Sequence, residues 1–234
     1  MTSVTVLPCA DVPAAEQIWT IIVGGGSGRR FGATKQYESL GDARVIDRST
    51  AIAREVSDGV VVVVPPEDAA REGAVAGGST RSDSVRAGLA MVPPEATIIC
   101  VHDAARPLAS AELYRRAIAA VHDGADAAIP AIAVADTIKV VADGVVVSTP
   151  DRASLVAVQT PQAFRAGVLR GAHATGGDAT DDAALVEALG EADVVADLAR
   201  SRVEEGLAVE ALAGDGEEDA GMEHAPSPER AERV

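Results

Sequence analysis

"IIVGGGSGRRFGATKQYESLG", residues 21–41, runs from an apolar stretch through a glycine loop directly into Arg29, Arg30 and Lys35. Glycines let backbone N–H groups approach a phosphate closely, and a helix starting after the loop would aim its positive end at the same anion. Two familiar phosphate motifs fail on spacing. For G-x-G-x-x-G, the third glycine counted from Gly24 would fall at Arg29, and counted from Gly26 it would fall at Phe31. The Walker pattern fails because no glycine five places after another precedes Lys-Ser or Lys-Thr. The stretch therefore reads as a polyphosphate cradle of another type, with an ordinary surface turn still open at this point.

Outward from the loop, β-branched runs alternate with Ala/Leu/Arg segments of helical period. Strands are expected at 19–23, 59–65, 96–102, 126–133 and 191–197, and helices at 45–56, 80–92, 110–122, 165–173 and 181–189. Strands apolar on both faces, separated by helices, predict an α/β fold with a mostly parallel sheet between helix layers. Ligands of such sheets bind at the carboxyl ends of the strands, where the glycine loop falls. Residues 136–152, "DTIKVVADGVVVSTPDR", break the alternation with two β-rich runs around Ala142-Asp143-Gly144, the signature of a hairpin. Such an insertion reads as an arm that caps a site or reaches a partner, or else as an ordinary edge hairpin.

The 234 residues are enough for one substantial core. A formal charge of −16 argues against binding nucleic acid by general electrostatic attraction. Cys9 and Cys100 do not make a disulfide framework, which fits a reducing cytoplasm. Residues 1–17 read as a short extension without a basic or sustained apolar region, and 214–234 as a solvated acidic tail. No apolar run approaches the roughly 18 residues that cross a membrane, so no membrane partner is expected.

Five further stretches follow the loop in order: "GGSTRSDSVRAGL" (77–89), "VHDAARP" (101–107), "ADTIK" (135–139), "DRASLVAVQTPQAF" (151–164) and "ATDDAALVEALG" (179–190). Together with "GGGSGRRFGATKQY" they resemble the 2-C-methyl-D-erythritol 4-phosphate cytidylyltransferases of non-mevalonate isoprenoid biosynthesis, over residues 19 to about 190. The resemblance implies a Rossmann-like nucleotidyltransferase domain over 18–213. It joins CTP to a polyol phosphate and releases pyrophosphate, with Mg²⁺ held mainly by the triphosphate rather than by protein ligands. By similarity Arg30 and Lys35 are catalytic, and Gly24, Gly25, Gly26, Ser27 and Gly28 wrap the ribose and phosphates. Gly78 and Ser84 would read the base, the hydroxyl both donating and accepting, while Arg81 is free to brace the loop. Asp103 and Arg106 would face the acceptor. The family dimerises by exchanging the arm, so that Thr137 and Arg152 bind the acceptor phosphate, Arg152 from the other subunit, with Thr160 and "TDD" (180–182) as buttresses. His102 reads first as a structural strand-end histidine.

The chemistry agrees independently. Attack of a phosphate oxygen on an α-phosphorus needs no protein nucleophile, so bare backbone donors and cations are what the loop should supply. Two departures from the family pattern stand out. Thr34 occupies the place where a proline usually precedes the lysine. After Gly190 the "GDPxNxKIT" stretch, whose lysine grips the acceptor phosphate, is replaced by "ADLARSRVEEGLAVEAL" (196–212), with Arg200 and Arg202 as candidate substitutes. These departures keep two alternatives open: a cytidylyltransferase for another polyol phosphate such as ribitol 5-phosphate, and a catalytically silent nucleotide-binding relative.

Overall fold

The computed structural model describes residues 16–24, 35–190 and 193–198. In chain order the elements are β1 (Ile18–Val23), the short hairpin β2 (Ser39–Leu40) and β3 (Ala43–Arg44), α1 (Val45–Val56), β4 (Gly59–Val64), α2 (Pro66–Glu72), β5 (Val75–Ala76) and α3 (Arg81–Leu89). Then come β6 (Ile98–Asp103), α4 (Ala111–His122), β7 (Ala127–Ala133), β8 (Val140–Ala142), β9 (Val145–Ser148), β10 (Val156–Val158), β11 (Gln162–Arg165), α5 (Ala166–Ala174), α6 (Asp182–Glu187) and β12 (Val194–Leu198).

β1 lies between β4 and β6 and runs parallel to both, with Ile21 opposite Val61 on one side and Val101 on the other. Alternate residues therefore enter two cores. Ile21, Val63, Ile99 and Val101 pack with Val85 and Leu89 of α3, Leu169 of α5 and Val186 of α6. On the other face Ile22, Ile98 and Cys100 pack with Ile46 of α1 and Tyr114, Ala117 and Val121 of α4. Backbone and side chain approach so closely at α3 that a Cβ on Gly88 would lie 2.6 Å from Ile21 Cγ2.

The five long strands and all five helices expected from sequence are present, with ends shifted by up to three residues. Caps explain several of the ends: Thr80 before α3, Ser110 before α4 and Asp181 before α6 each accept a first-turn N–H. The sheet is mostly parallel, with one reversal. β10 and β11 both run antiparallel to β7, and β11 is also antiparallel to β6. β12 takes the opposite edge of β7, because Ala128 pairs with both Ala163 and Val195. The expected hairpin forms as β8 and β9 around Asp143 and Gly144, both at positive φ, and neither strand pairs with another described strand.

This topology positions the site. From β1 the chain steps outward to β4 and β5, then returns through α3 to β6 on the other side of β1. The carboxyl ends of β1 and β6 thus flank the point where the winding reverses, the place where α/β sheets bind ligands. Among the described residues no helix is long and apolar enough to cross a membrane.

Candidate active site

Val23, the last residue of β1, pairs with Asp103, the last of β6. Gly24 follows, wedged between neighbouring strand ends: its N–H donates to Val63 O at 2.7 Å, and a Cβ would meet that same oxygen at 3.2 Å. The buried Gln36 donates from Nε2 to the Gly24 carbonyl at 2.9 Å. That bond ties a one-turn 3-10 helix, Lys35–Tyr37, to the carboxyl end of β1, with Lys35 exposed at its start. Next in the turn, the Tyr37 ring lies 5.7 Å from the Arg44 guanidinium and 5.0 Å from that of Arg71, and both arginines pair with Glu72. Gly25, Gly26, Ser27, Gly28 and Arg30 lie outside the described residues.

A second wall comes from the loop before α3. Gly77 N–H donates to Val64 O, which docks the loop on the end of β4. Thr80 and Asp83 form a reciprocal capping box, and Asp83 also accepts from Ser79 and Arg86. The Ser79 hydroxyl, the Arg86 guanidinium and the Thr80 N–H hold the Asp83 carboxyl well below the usual carboxylate range. The first turn of α3 folds back so tightly that a Cβ on Gly78 would lie 2.1 Å from Asp83 Cβ. Ser84 is buried; its hydroxyl donates to Thr80 O at 3.0 Å and accepts from Gly78 N–H at 3.2 Å. Its one proton is thereby engaged with Thr80, and the hydroxyl oxygen holds the Gly78 backbone.

Asp103 forms the centre. One carboxylate oxygen faces Arg81 Nε at 3.4 Å and the other Arg106 Nε at 3.2 Å. Arg106 also bonds Gln159 Oε1 through Nη1. Arg81 reaches inward as well, with Nη1 2.7 Å from Oδ2 of the fully buried Asp182, whose Oδ1 lies 2.9 Å from His173 Nε2. Burial alone would raise the Asp182 pKa. The His173 hydrogen bond and the Arg81 charge outweigh it, and the carboxyl titrates below its ordinary value. Asp103 and Arg106, both singled out from the sequence, are thus brought together; Gln36, Gln159 and His173, which support this region, carry no local signal in the sequence. Arg81, expected as a brace for its own loop, reaches Asp103 and Asp182.

Thr137 and Arg152 stand apart from this cluster. Arg152 Nη1 donates to Ala135 O at 3.0 Å, joining the two legs of the arm at its root, and Thr137 is exposed on the outgoing leg. Among the described residues no hydrogen bond or ion pair links either one to Asp103 or Arg106. Nor does any cluster of three or more His, Cys, Asp or Glu among the described residues present itself to a metal ion. Both Asp103 oxygens are turned to guanidinium groups instead.

His102 precedes Asp103, is wholly buried, and packs at 5.5 Å against the Tyr114 ring. Burial pushes its pKa down to about 4 against the opposing pull of Asp103. An unfolded histidine titrates near about 6.5, so between these values the unfolded chain binds a proton that the native one refuses. The contribution is present above about pH 6.5 and is lost as pH falls toward about 4, on the order of 3 kcal/mol. Thermal melts across that window should show the fall, and the fall should be smaller in a His102→Gln variant. An identical pH profile in the variant would assign the acid sensitivity to other groups.

A family model for IspD, 2-C-methyl-D-erythritol 4-phosphate cytidylyltransferase, matches residues 18–200. The chain belongs to this family. The 2-C-methyl-D-erythritol 4-phosphate cytidylyltransferase of Streptomyces coelicolor is 43% identical over 204 residues, covering 75% of each chain. The bifunctional IspD/IspF enzyme of Oleidesulfovibrio alaskensis is 46% identical over 155 residues, which are 64% of this chain and 37% of that one. The chain thus spans about half the length or less of the bifunctional relatives it matches. Among solved structures, the 4-diphosphocytidyl-2C-methyl-D-erythritol synthase of Anaerococcus prevotii superimposes with a TM-score of 0.71 at 26% identity, over 80% of this chain and 90% of that one. The IspD fold is therefore shared across the described sheet and helices.

Proposed function

We propose that this IspD-family chain transfers CMP from CTP to 2-C-methyl-D-erythritol 4-phosphate, releasing pyrophosphate, as a cytoplasmic enzyme. The observation that carries this reading is the pairing of the β1 and β6 ends. Gly24, to which Gln36 ties the turn beginning at Lys35, follows the strand residue opposite Asp103, a carboxylate held between two guanidinium groups. An oxygen of the acceptor phosphate attacks the α-phosphorus of CTP, the new P–O bond forms as the bond to the β-phosphate bridge breaks, and pyrophosphate leaves. Lys35, with Arg30, supplies positive charge to the α-phosphate and the departing oxygens. Asp103 and Arg106 receive the acceptor. A divalent cation such as Mg²⁺ would be held mainly by the triphosphate and would add positive charge there, while Asp103 faces two guanidinium groups. Pyrophosphate release that requires both CTP and the acceptor is the expected assay result; release with CTP alone would reveal a hydrolase.

Cytosine is read by the backbone at Gly78, with Ser84 holding that backbone in place. CTP should be preferred to UTP, and Ser84→Ala should erode the preference on the order of tenfold by freeing the Gly78 N–H. A variant that keeps full discrimination in competition assays would move base reading elsewhere.

The arm completes the site across a homodimer. Val141, Val145, Val146 and Val147 are each more than half exposed on a two-stranded hairpin without a sheet neighbour among the described residues. Such a hairpin is marginal alone, and a partner subunit would cover its apolar face. Arg152 then serves the neighbour's acceptor phosphate, beside that subunit's own Thr137. Mixing Arg30→Ala and Arg152→Ala proteins should restore roughly a quarter of the wild-type rate, since half of randomly assorted dimers are mixed and each has one intact site in two. No recovery after demonstrated subunit exchange would return Arg152 to its own chain.

A second reading, transfer to another polyol phosphate such as ribitol 5-phosphate, is favoured by one observation. The stretch 196–212 lacks the lysine that the family places against the acceptor phosphate, and the whole chain has only Lys35 and Lys139. Arg200 and Arg202 lie outside the described residues.

A further inference from the structure

His102 has one partner for each ring nitrogen. Nε2 lies 3.2 Å from the Arg106 carbonyl oxygen, and Nδ1 lies 2.9 Å from Thr160 Oγ1. A carbonyl oxygen can only accept, so the proton sits on Nε2, and Nδ1 of the neutral ring is left as an acceptor. Thr160 gives its hydroxyl proton to Nδ1, and its lone pair takes the Asp103 N–H at 3.2 Å. The bonds therefore run in one direction: Asp103 N–H to Thr160, Thr160 O–H to His102, His102 Nε2–H to the Arg106 carbonyl.

We infer that His102 is a positioning residue for the acceptor site: its neutral, Nε2-protonated ring fixes the backbone at both Asp103 and Arg106, and with it the spacing of their side chains. The inference rests on the proposed role of those two residues in receiving the acceptor. Three observations support it. The ring is wholly buried and packs against the equally buried Tyr114 of α4, tilted 53° to it, away from water that could compete for its two hydrogen bonds. The turn it spans is closed independently by Arg106 N–H to Asp103 O at 3.0 Å, which makes residues 103–106 one unit. Thr160 comes from the connection between β10 and β11, so the chain also couples that unit to the reversed strands of the sheet. The groups facing the ring are Thr160, Tyr114, and the backbone and side chains at Asp103 and Arg106. A low pKa agrees with neutrality near pH 7.

The test has two arms on the full-length protein. Heteronuclear NMR of the His102 imidazole at neutral pH should find Nε2 protonated and Nδ1 bare; a proton on Nδ1 would overturn the inference, and this arm needs no variant to fold. In steady-state assays, His102→Leu should raise the KM for the acceptor on the order of tenfold and leave that for CTP within about twofold. His102→Gln, whose amide can still donate to the Arg106 carbonyl, should recover part of the loss. Equal rises in both KM values, or no rise in a folded His102→Leu protein, would overturn the role. Asp103→Asn run in parallel separates the two levels. If it leaves the acceptor KM unchanged, the acceptor assignment itself fails; if it raises the KM while His102→Leu does not, only the role of His102 fails.

Discussion

Lys35→Ala is expected to lower kcat by on the order of 10²–10³ while raising the KM for CTP far less. The argument is one of timing. Negative charge on the oxygens around the α-phosphorus and on the departing pyrophosphate grows as the transition state is approached, so a fixed cation gains most there. The geometry supports a fixed position: Lys35 opens the 3-10 turn whose next residue, Gln36, is pinned at 2.9 Å to the Gly24 carbonyl. Because Lys35 is exposed, melting of the variant should change little. Small and equal effects on kcat and KM would make Lys35 a binding residue only.

Arg81→Ala should unfold the protein more easily by about 3–5 kcal/mol, the usual result of stranding one member of a buried ion pair. Asp182 has no solvent exposure and depends on Arg81 and His173, and Asp103 would lose its second guanidinium in the same step. In a chain of this size the drop in melting temperature would be on the order of 10 °C. Combining Arg81→Ala with Asp182→Asn should recover much of the loss, since a neutral amide can keep the His173 contact without needing a cation. If the single variant costs under about 1 kcal/mol in denaturant titrations, the pair is screened as a surface one would be.

The fold was legible where one physical signal dominated. β1, β4 and β6 are apolar on both faces and carry the registers that build the centre of the sheet, and α1 begins and ends where its period does. β11 was not legible. Its four residues, Gln162–Arg165, include a buried glutamine and follow a proline, so neither alternation nor a β-branched run marks them. Only its neighbours β6 and β7 make it a strand. α2 was missed for a similar reason, being only seven residues that begin at Pro66 and end before the left-handed Gly73.

The site shows the same division. Gly24 and Asp103 could be placed at strand ends because the strands themselves were readable. Arg81 and Asp182 are far apart in sequence, and His173 faces Asp182 from another helix, so no local spacing could announce the cluster. Ser84 was readable as part of the Gly77–Gly78 motif, but its hydroxyl's partners became visible only with α3 folded back on the loop.

The central claim is tested most directly by offering CTP with equal amounts of 2-C-methyl-D-erythritol 4-phosphate and ribitol 5-phosphate in one reaction and identifying the product by mass spectrometry. The account predicts CDP-methylerythritol as the dominant product, with matching pyrophosphate. Predominant CDP-ribitol, or no CDP-linked product at all, would contradict it.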